Sequence, residues 1–97
     1  MQIERNLDAE TARLPDHVVY RPFAKETVVL NLQTGTYHGL NPTGGRMLET
    51  LVQSETIGDA ADKLAAEYRL PREEIGADIH EFCLELLERG LIRLDTR

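Results

Sequence analysis

Tryptophan is absent from this 97-residue chain, and only two phenylalanines and three tyrosines supply rings. With so few aromatics, the expected core is built from Leu, Ile, Val and Ala. A lone cysteine, Cys83, excludes an internal disulfide and fits a reducing cytoplasm. No apolar run approaches the roughly 20 residues that span a bilayer. The opening stretch MQIERNLDAE is too polar for a signal peptide. Basic residues are in deficit, 11 against 17 acids, for a formal net charge of −6. That balance argues against a nucleic-acid surface, whose footprint is a basic face. There is no internal repeat and no low-complexity tract. A chain of this length buries one modest core and has no room for a deep multi-residue active site.

Residues 1–16 mix charges without a clear period, and read as a loosely held arm on which Ile3 and Leu7 are candidates to dock. Residues 17–97 read as the folded domain. HVVYRPF is β-rich, with Pro22 suited to an edge or a strand end. TVVLNL alternates, with Val28, Leu30 and Leu32 on one face and Thr27, Val29 and Asn31 on the other. QTG turns the chain, and TYHGL is the third strand, in which Tyr37 and Leu40 both face inward only if Gly39 carries a bulge.

After Leu40 the period becomes helical. Asn41 is an N-cap and Pro42 a first helical residue, followed by Met47, Leu48, Leu51 and Val52 on one face. Gly44 and Gly45 each cost that helix up to about 1 kcal/mol against Ala, for no reason visible in the sequence. A second helix is capped by Thr56 and carries Ile57, Ala60, Ala61, Leu64, Ala65 and Tyr68 as one stripe. The third opens at Pro71, has Glu73 and Glu74 in its first turn, carries Ile75, Ile79, Phe82, Cys83 and Leu86, and stops at Gly90. LIRLD then forms a short terminal strand or covers the core. The expected product is an α+β, winged-helix-like domain: a three-stranded antiparallel sheet followed by three helices.

Catalytic chemistry finds little support. His17, His38 and His80 are scattered, and nothing resembles a nucleophile–base pair or an acid–base couple in a cleft. His80 and Cys83 are three apart on one helix, and with His38 they form a nominal metal set; a surface imidazole beside a buried thiol is the simpler account. GLNPTGG brings glycines to a helix start but lacks the Lys-Ser/Thr ending of a phosphate loop. A winged-helix shape raises DNA binding as a competing class. The third helix opposes it, with Glu73, Glu74, Asp78, Glu81, Glu85 and Glu88 against only Arg72 and Arg89. Two features remain: Leu84 and Leu87 make that helix apolar on more than one side, and TGTYHGL has no Lys, Pro or inward charge to blunt a sheet edge. An unpaired edge beside an apolar helix fits either an added peptide strand or a dimer pairing its third strands.

The stretch VVLNLQTGTYHGLNPTGGRMLETL, with IGDAADKLAAEY and PREEIGADIHEFCLELLERGLI after it, resembles the PqqD-like family over about residues 17–94. YHGLNPTG and DIHEFCLELLERGLI are the most specific parts. These are small recognition domains for precursor peptides of ribosomal-peptide (RiPP) biosynthesis. The resemblance implies three strands and three helices, with a groove between the third strand and the third helix. There the leader segment of a precursor adds as an antiparallel fourth strand and is presented to a leader peptidase or other modifying enzyme. The implied strand positions are Thr36, Tyr37, His38, Gly39 and Leu40, acting through backbone groups. The implied helix positions are Asp78, Ile79, Phe82, Cys83 and Leu86, whose apolar side chains take the leader's anchors while Asp78 meets a polar or basic group. No catalytic residue, metal or cofactor is implied. The stand-alone chain with Y-x-x-LNPTG looks most like the leader-binding proteins of lasso-peptide pathways. The alternatives are a chaperone of the cofactor-synthesis (PQQ) type and a winged-helix regulator. The expectation is a cytoplasmic monomer or weak homodimer that binds neither nucleic acid nor membrane.

Overall fold

The computed structural model describes residues 7–96. A short 3-10 turn, Leu7–Ala9, precedes β1 (Glu10–Arg13), β2 (Val18–Pro22), β3 (Thr27–Asn31) and β4 (Tyr37–Leu40). Three helices follow, α1 (Pro42–Gln53), α2 (Ile57–Tyr68) and α3 (Arg72–Glu88), and then β5 (Arg93–Thr96). The expected α+β architecture is present: β2-β3-β4 is an antiparallel sheet with β3 at its centre, packed against α1, and three helices follow it. No helix among the described residues is long and apolar enough to cross a membrane.

Thr27, Val29 and Asn31 form the buried face of β3, so Val29 is a core residue, fully buried. Asn31 also builds the following turn. Its Oδ1 accepts from the Gln33 and Thr34 amides at 2.9 and 3.3 Å, and Gly35 takes a φ of 75°. The register beyond is regular: Leu30 faces Tyr37, Val29 faces His38, Val28 faces Gly39 and Thr27 faces Leu40. The bulge expected at Gly39 is therefore absent. Without it Leu40 lies on the helix side while Tyr37 shares the outer face with Leu30 and stands 72% exposed.

Asn41 caps α1 by accepting the Gly44 amide at 2.7 Å. The glycine pair now has a cause. A Cβ on Gly45 would run into the side chain of Thr27, with Thr27 Cβ at 2.9 Å, so only glycine lets α1 sit this close to β3. Thr56 caps α2 through the Asp59 amide, and Gly90 ends the α3 region with a φ of 71°. Buried Leu48, Leu51, Ile57, Leu64, Ile79, Cys83 and Leu86 fill the space between the helices, with Leu91 and Val29 beside them.

The arm expected over 1–16 is corrected over residues 10–13, which form β1 and pair antiparallel with β5. ETAR has little β-propensity, and its partner lies at the far end of the chain, so no local pattern announces it. The adjoining turn is anchored by side chains. Asp8 Oδ1 accepts from His80 Nε2 at 2.6 Å, Asp8 Oδ2 lies 3.1 Å from Arg72, and Arg72 reaches Asp62 at 2.6 Å. Leu7 packs against the core as expected, whereas Ile3 lies outside the described residues. The arm thus joins β5 and leaves β4 at the edge of its sheet.

Candidate functional site: the β4 edge and the cleft beside α3

The free edge of β4 can be read group by group. In an antiparallel ladder, residues alternate between those whose N–H and C=O point at the neighbour and those whose groups point away. The Asn31 amide donates to the Thr36 carbonyl at 2.9 Å, which makes 31 and 36 a hydrogen-bonded pair. By alternation, His38 bonds to Val29 and Leu40 to Thr27, so the outward-facing backbone groups of the strand belong to Tyr37 and Gly39. This narrows the five strand positions expected. Thr36 is spent within its own turn, its amide on Thr34 Oγ1 at 3.2 Å and its carbonyl on Asn31. Leu40 also offers its side chain to the cleft, His38 meets it only through Arg89, and the backbone groups of both hold the sheet together. Gly39 adds no side chain to obstruct the approach.

Alongside this edge runs an open cleft of about 430 Å3. Gly39, Leu40 and Asn41 line its sheet side, and Thr43, Gly44 and Met47 of α1 close one end. From α3 come Asp78, Glu81, Phe82 and Glu85, with Arg89 just beyond the helix. Phe82 is half-buried and is the ring presented to the cleft. Gly44 keeps the wall open there: a Cβ on it would meet Leu40 Cβ at 3.4 Å and Phe82 Cε1 at 3.8 Å. At the other end, Arg89 Nη1 donates to His38 Nδ1 at 3.4 Å. The α3 rim is otherwise acidic, since Asp78, Glu81 and Glu85 are all exposed.

The expected helix positions divide. Asp78 and Phe82 line the cleft, as do Gly39 and Leu40 of the strand. Ile79, Cys83 and Leu86 do not line it: they are 0%, 0% and 2% exposed and belong to the core. The reason is helical phase. Ile75, Ile79, Cys83 and Leu86 form the stripe facing α1 and α2, and Asp78, Phe82 and Glu85 form the neighbouring stripe facing β4. Leu87 packs on the core, while Leu84 is 55% exposed and outside the cleft. Met47, Thr43, Glu81, Glu85 and Arg89 were missed from the sequence. Met47 looked like ordinary core of α1, but the helical spacing from Asp78 to Glu81 and Glu85 was a signal available for the acidic rim.

The nominal metal set is not brought together among the described residues. His80 is held by Asp8, His38 sits beside Arg89, and among the described residues no three His, Cys, Asp or Glu side chains are grouped to hold an ion. Burial pushes the Cys83 thiol up to about 12, so it stays protonated and unreactive.

Comparison with known proteins matches this frame. Residues 26–92 match the family described as coenzyme PQQ synthesis protein D (PqqD). No curated protein matches the chain. Among solved structures, TbiB1 in complex with the TbiA(beta) leader peptide superposes with a TM-score of 0.77 at 32% identity, covering 84% of this chain and 94% of that one. Lasso peptide synthetase B1 complexed with the leader peptide gives a TM-score of 0.76 at 26% identity, covering 84% of this chain and 96% of that one.

Proposed function

This chain belongs to the PqqD family, and on that premise we propose that it is a non-catalytic adaptor of lasso-peptide biosynthesis. It binds the leader of a ribosomal precursor peptide along β4 and presents it to a leader peptidase or other modifying enzyme. The observation that carries this reading is the pair of outward-facing residues, Tyr37 and Gly39, beside a cleft that presents Phe82. The two solved relatives at 32% and 26% identity, both held with leader peptides, support it.

Energetics assign the parts. Tyr37 and Gly39 together offer two donors and two acceptors, hence four ladder bonds at about 1 kcal/mol net each. Ordering a disordered leader costs about 2–5 kcal/mol, which nearly cancels them. Affinity then depends on leader side chains buried against Phe82, Leu40 and Met47, each contributing about 1.5–3 kcal/mol when fully covered. Asp78, Glu81 and Glu85 favour basic or polar leader groups on the α3 side, by no more than about 1 kcal/mol each in solvent. The same acidic rim opposes the phosphates of duplex DNA.

Amide hydrogen exchange with the TbiA(beta) leader peptide tests strand addition residue by residue. Binding should newly protect the Tyr37 and Gly39 amides, while His38 and Leu40, already paired to β3, change little. A bound leader that leaves Tyr37 and Gly39 exchanging as before would overturn the reading. For the adaptor role, cleavage of the precursor by its peptidase should accelerate when this chain is added.

A further inference from the structure

Every charged side chain lining the cleft is acidic except one. Asp78, Glu81 and Glu85 follow one another along α3, and Arg89 ends the row just beyond the helix. Glutamate four residues before arginine is the favourable order for an ion pair on a helix, yet Arg89 does not pair with Glu85. Arg89 is the C-cap of α3 (φ −86°, ψ 0°), and its guanidinium turns to His38 of β4 instead. Arg13, Arg46, Arg72 and Arg93 each reach a carboxylate, whereas among the described residues Arg89 reaches none. The carbonyls at this end of α3 are already occupied, those of Glu85, Leu86 and Leu87 by the amides of Arg89, Leu91 and Gly90. The end of the cleft is thus held by an exposed guanidinium with donors to spare.

Chain direction and strand phase say which leader residue meets it. Arg89 touches His38, whereas Phe82, about two helical turns earlier, lies by Gly44 and Leu40. Hence α3 runs opposite to β4, and a strand added antiparallel to β4 runs with α3, from Leu40 toward His38. Residues directly opposite in an antiparallel pair project to the same face. His38 lies opposite buried Val29, so its side chain is on the helix side, as is that of Leu40. The leader residue opposite Leu40 therefore projects toward Phe82, and the residue two further on, opposite His38, projects toward Arg89. That second position is a non-hydrogen-bonded one, where facing side chains stand closest, about 5 Å between Cβ atoms. We infer that Arg89, resting on His38, forms a subsite for one acidic side chain of the leader, two residues C-terminal to the anchor at Phe82. Glu85 flanks the same stretch, but of the two only Arg89 touches the residue that the leader side chain faces. The inference rests on the strand-addition reading above. It adds a charge that fixes register and direction, with the acidic rim at the upstream end of the paired segment and Arg89 at the downstream end.

The test uses the full chain and the fluorophore-labelled TbiA(beta) leader peptide, with each leader position replaced in turn by Asp and by Lys. Amide protection of Tyr37 and Gly39 marks whether the segment is paired with β4. The expected result is a single position at which Asp binds about fivefold or more tighter than Lys, while the acidic rim leaves the neighbouring helix-side positions indifferent or in favour of Lys. In Arg89→Glu the preference at that one position should invert, and in Arg89→Lys it should persist, since the charge rather than a fork geometry carries it. Raising the salt concentration should shrink it. Arg89 is exposed and forms no ion pair, and circular dichroism checks that both variants remain folded. Protection at Tyr37 and Gly39 with no position that prefers Asp, or with a preference unchanged in Arg89→Glu, overturns the subsite and leaves strand addition standing. Absence of protection at those two amides overturns strand addition, and the subsite with it.

Discussion

Proline placed at adjacent positions of β4 separates binding from folding. Gly39 directs its N–H away from β3 and does not have a positive φ, so Gly39→Pro removes no ladder bond and needs no left-handed backbone. The fold should survive with its thermal midpoint little changed. A bound leader, however, would lose one donor and leave a carbonyl facing the proline ring. An unsatisfied partner costs about 1–3 kcal/mol, or roughly 5- to 150-fold in affinity. His38→Pro is the opposite case. It deletes the donor to Val29 in the middle of the sheet, again for about 1–3 kcal/mol, now taken from stability. For a domain of this size that lowers the midpoint by about 5 °C or more. Fluorescence polarisation with the labelled TbiA(beta) leader and thermal circular dichroism read the two effects separately. A Gly39→Pro protein that binds like wild type, or a His38→Pro protein as stable as wild type, would refute the assignment of which groups face outward.

Other perturbations follow from the same geometry. Phe82→Ala should weaken leader binding by about tenfold or more, because a half-buried ring lining the cleft is lost, whereas Glu88→Ala, exposed and outside the cleft, should leave it unchanged in the same titration. Gly45→Ala should destabilise the protein by about 1–3 kcal/mol in urea melts, since its methyl meets Thr27 rather than a cavity. The Asp8 carboxyl is held below the usual carboxylate range, first by its hydrogen bond from His80 and, against the opposing effect of burial, by Arg72. A depressed folded pKa adds stability that is present above the unfolded value of 3.8 and is lost as pH falls through the folded value. Asp8→Asn should therefore cost under about 1 kcal/mol at neutral pH, given solvent screening, and flatten the acid limb of a stability–pH curve below about pH 4. Native Cys83 should resist a thiol reagent until the chain is unfolded.

The helices were legible because their signals are local. Asn41 before Pro42, Thr56 three residues before Asp59, and the stripe from Ile57 to Leu64 all act within a few turns, and the structure uses each of them. β1 was illegible for the complementary reason. Its pairing with β5 joins residues 10–13 to 93–96, and its anchors, Asp8 to His80 and Thr11 to the Glu55 carbonyl, are also far apart in sequence. The cost of Gly45 was visible, but its cause is a contact with β3 that no helix pattern contains.

The cleft was half legible, and the division follows from periodicity. On α3 the apolar stripe predicts burial, but burial and availability exclude each other. The residues most confidently apolar, Ile79, Cys83 and Leu86, are therefore the ones the core consumes. What remains for a partner is the stripe next to it, where Phe82 sits among Asp78, Glu81 and Glu85. On β4 the limit is of a different kind. A period of two assigns side chains to faces but says nothing about which backbone groups are free until one hydrogen bond to β3 sets the phase. The bond from Asn31 to Thr36 sets it, and from that bond Tyr37 and Gly39 follow as the outward pair. A recognition edge of this kind depends on the turn before it. Asn31, which shapes that turn through its side chain, is a positioning residue for the binding edge although it touches no part of the cleft. Asn31→Ala should accordingly loosen both the hairpin and the leader, and Gly39→Pro the leader alone.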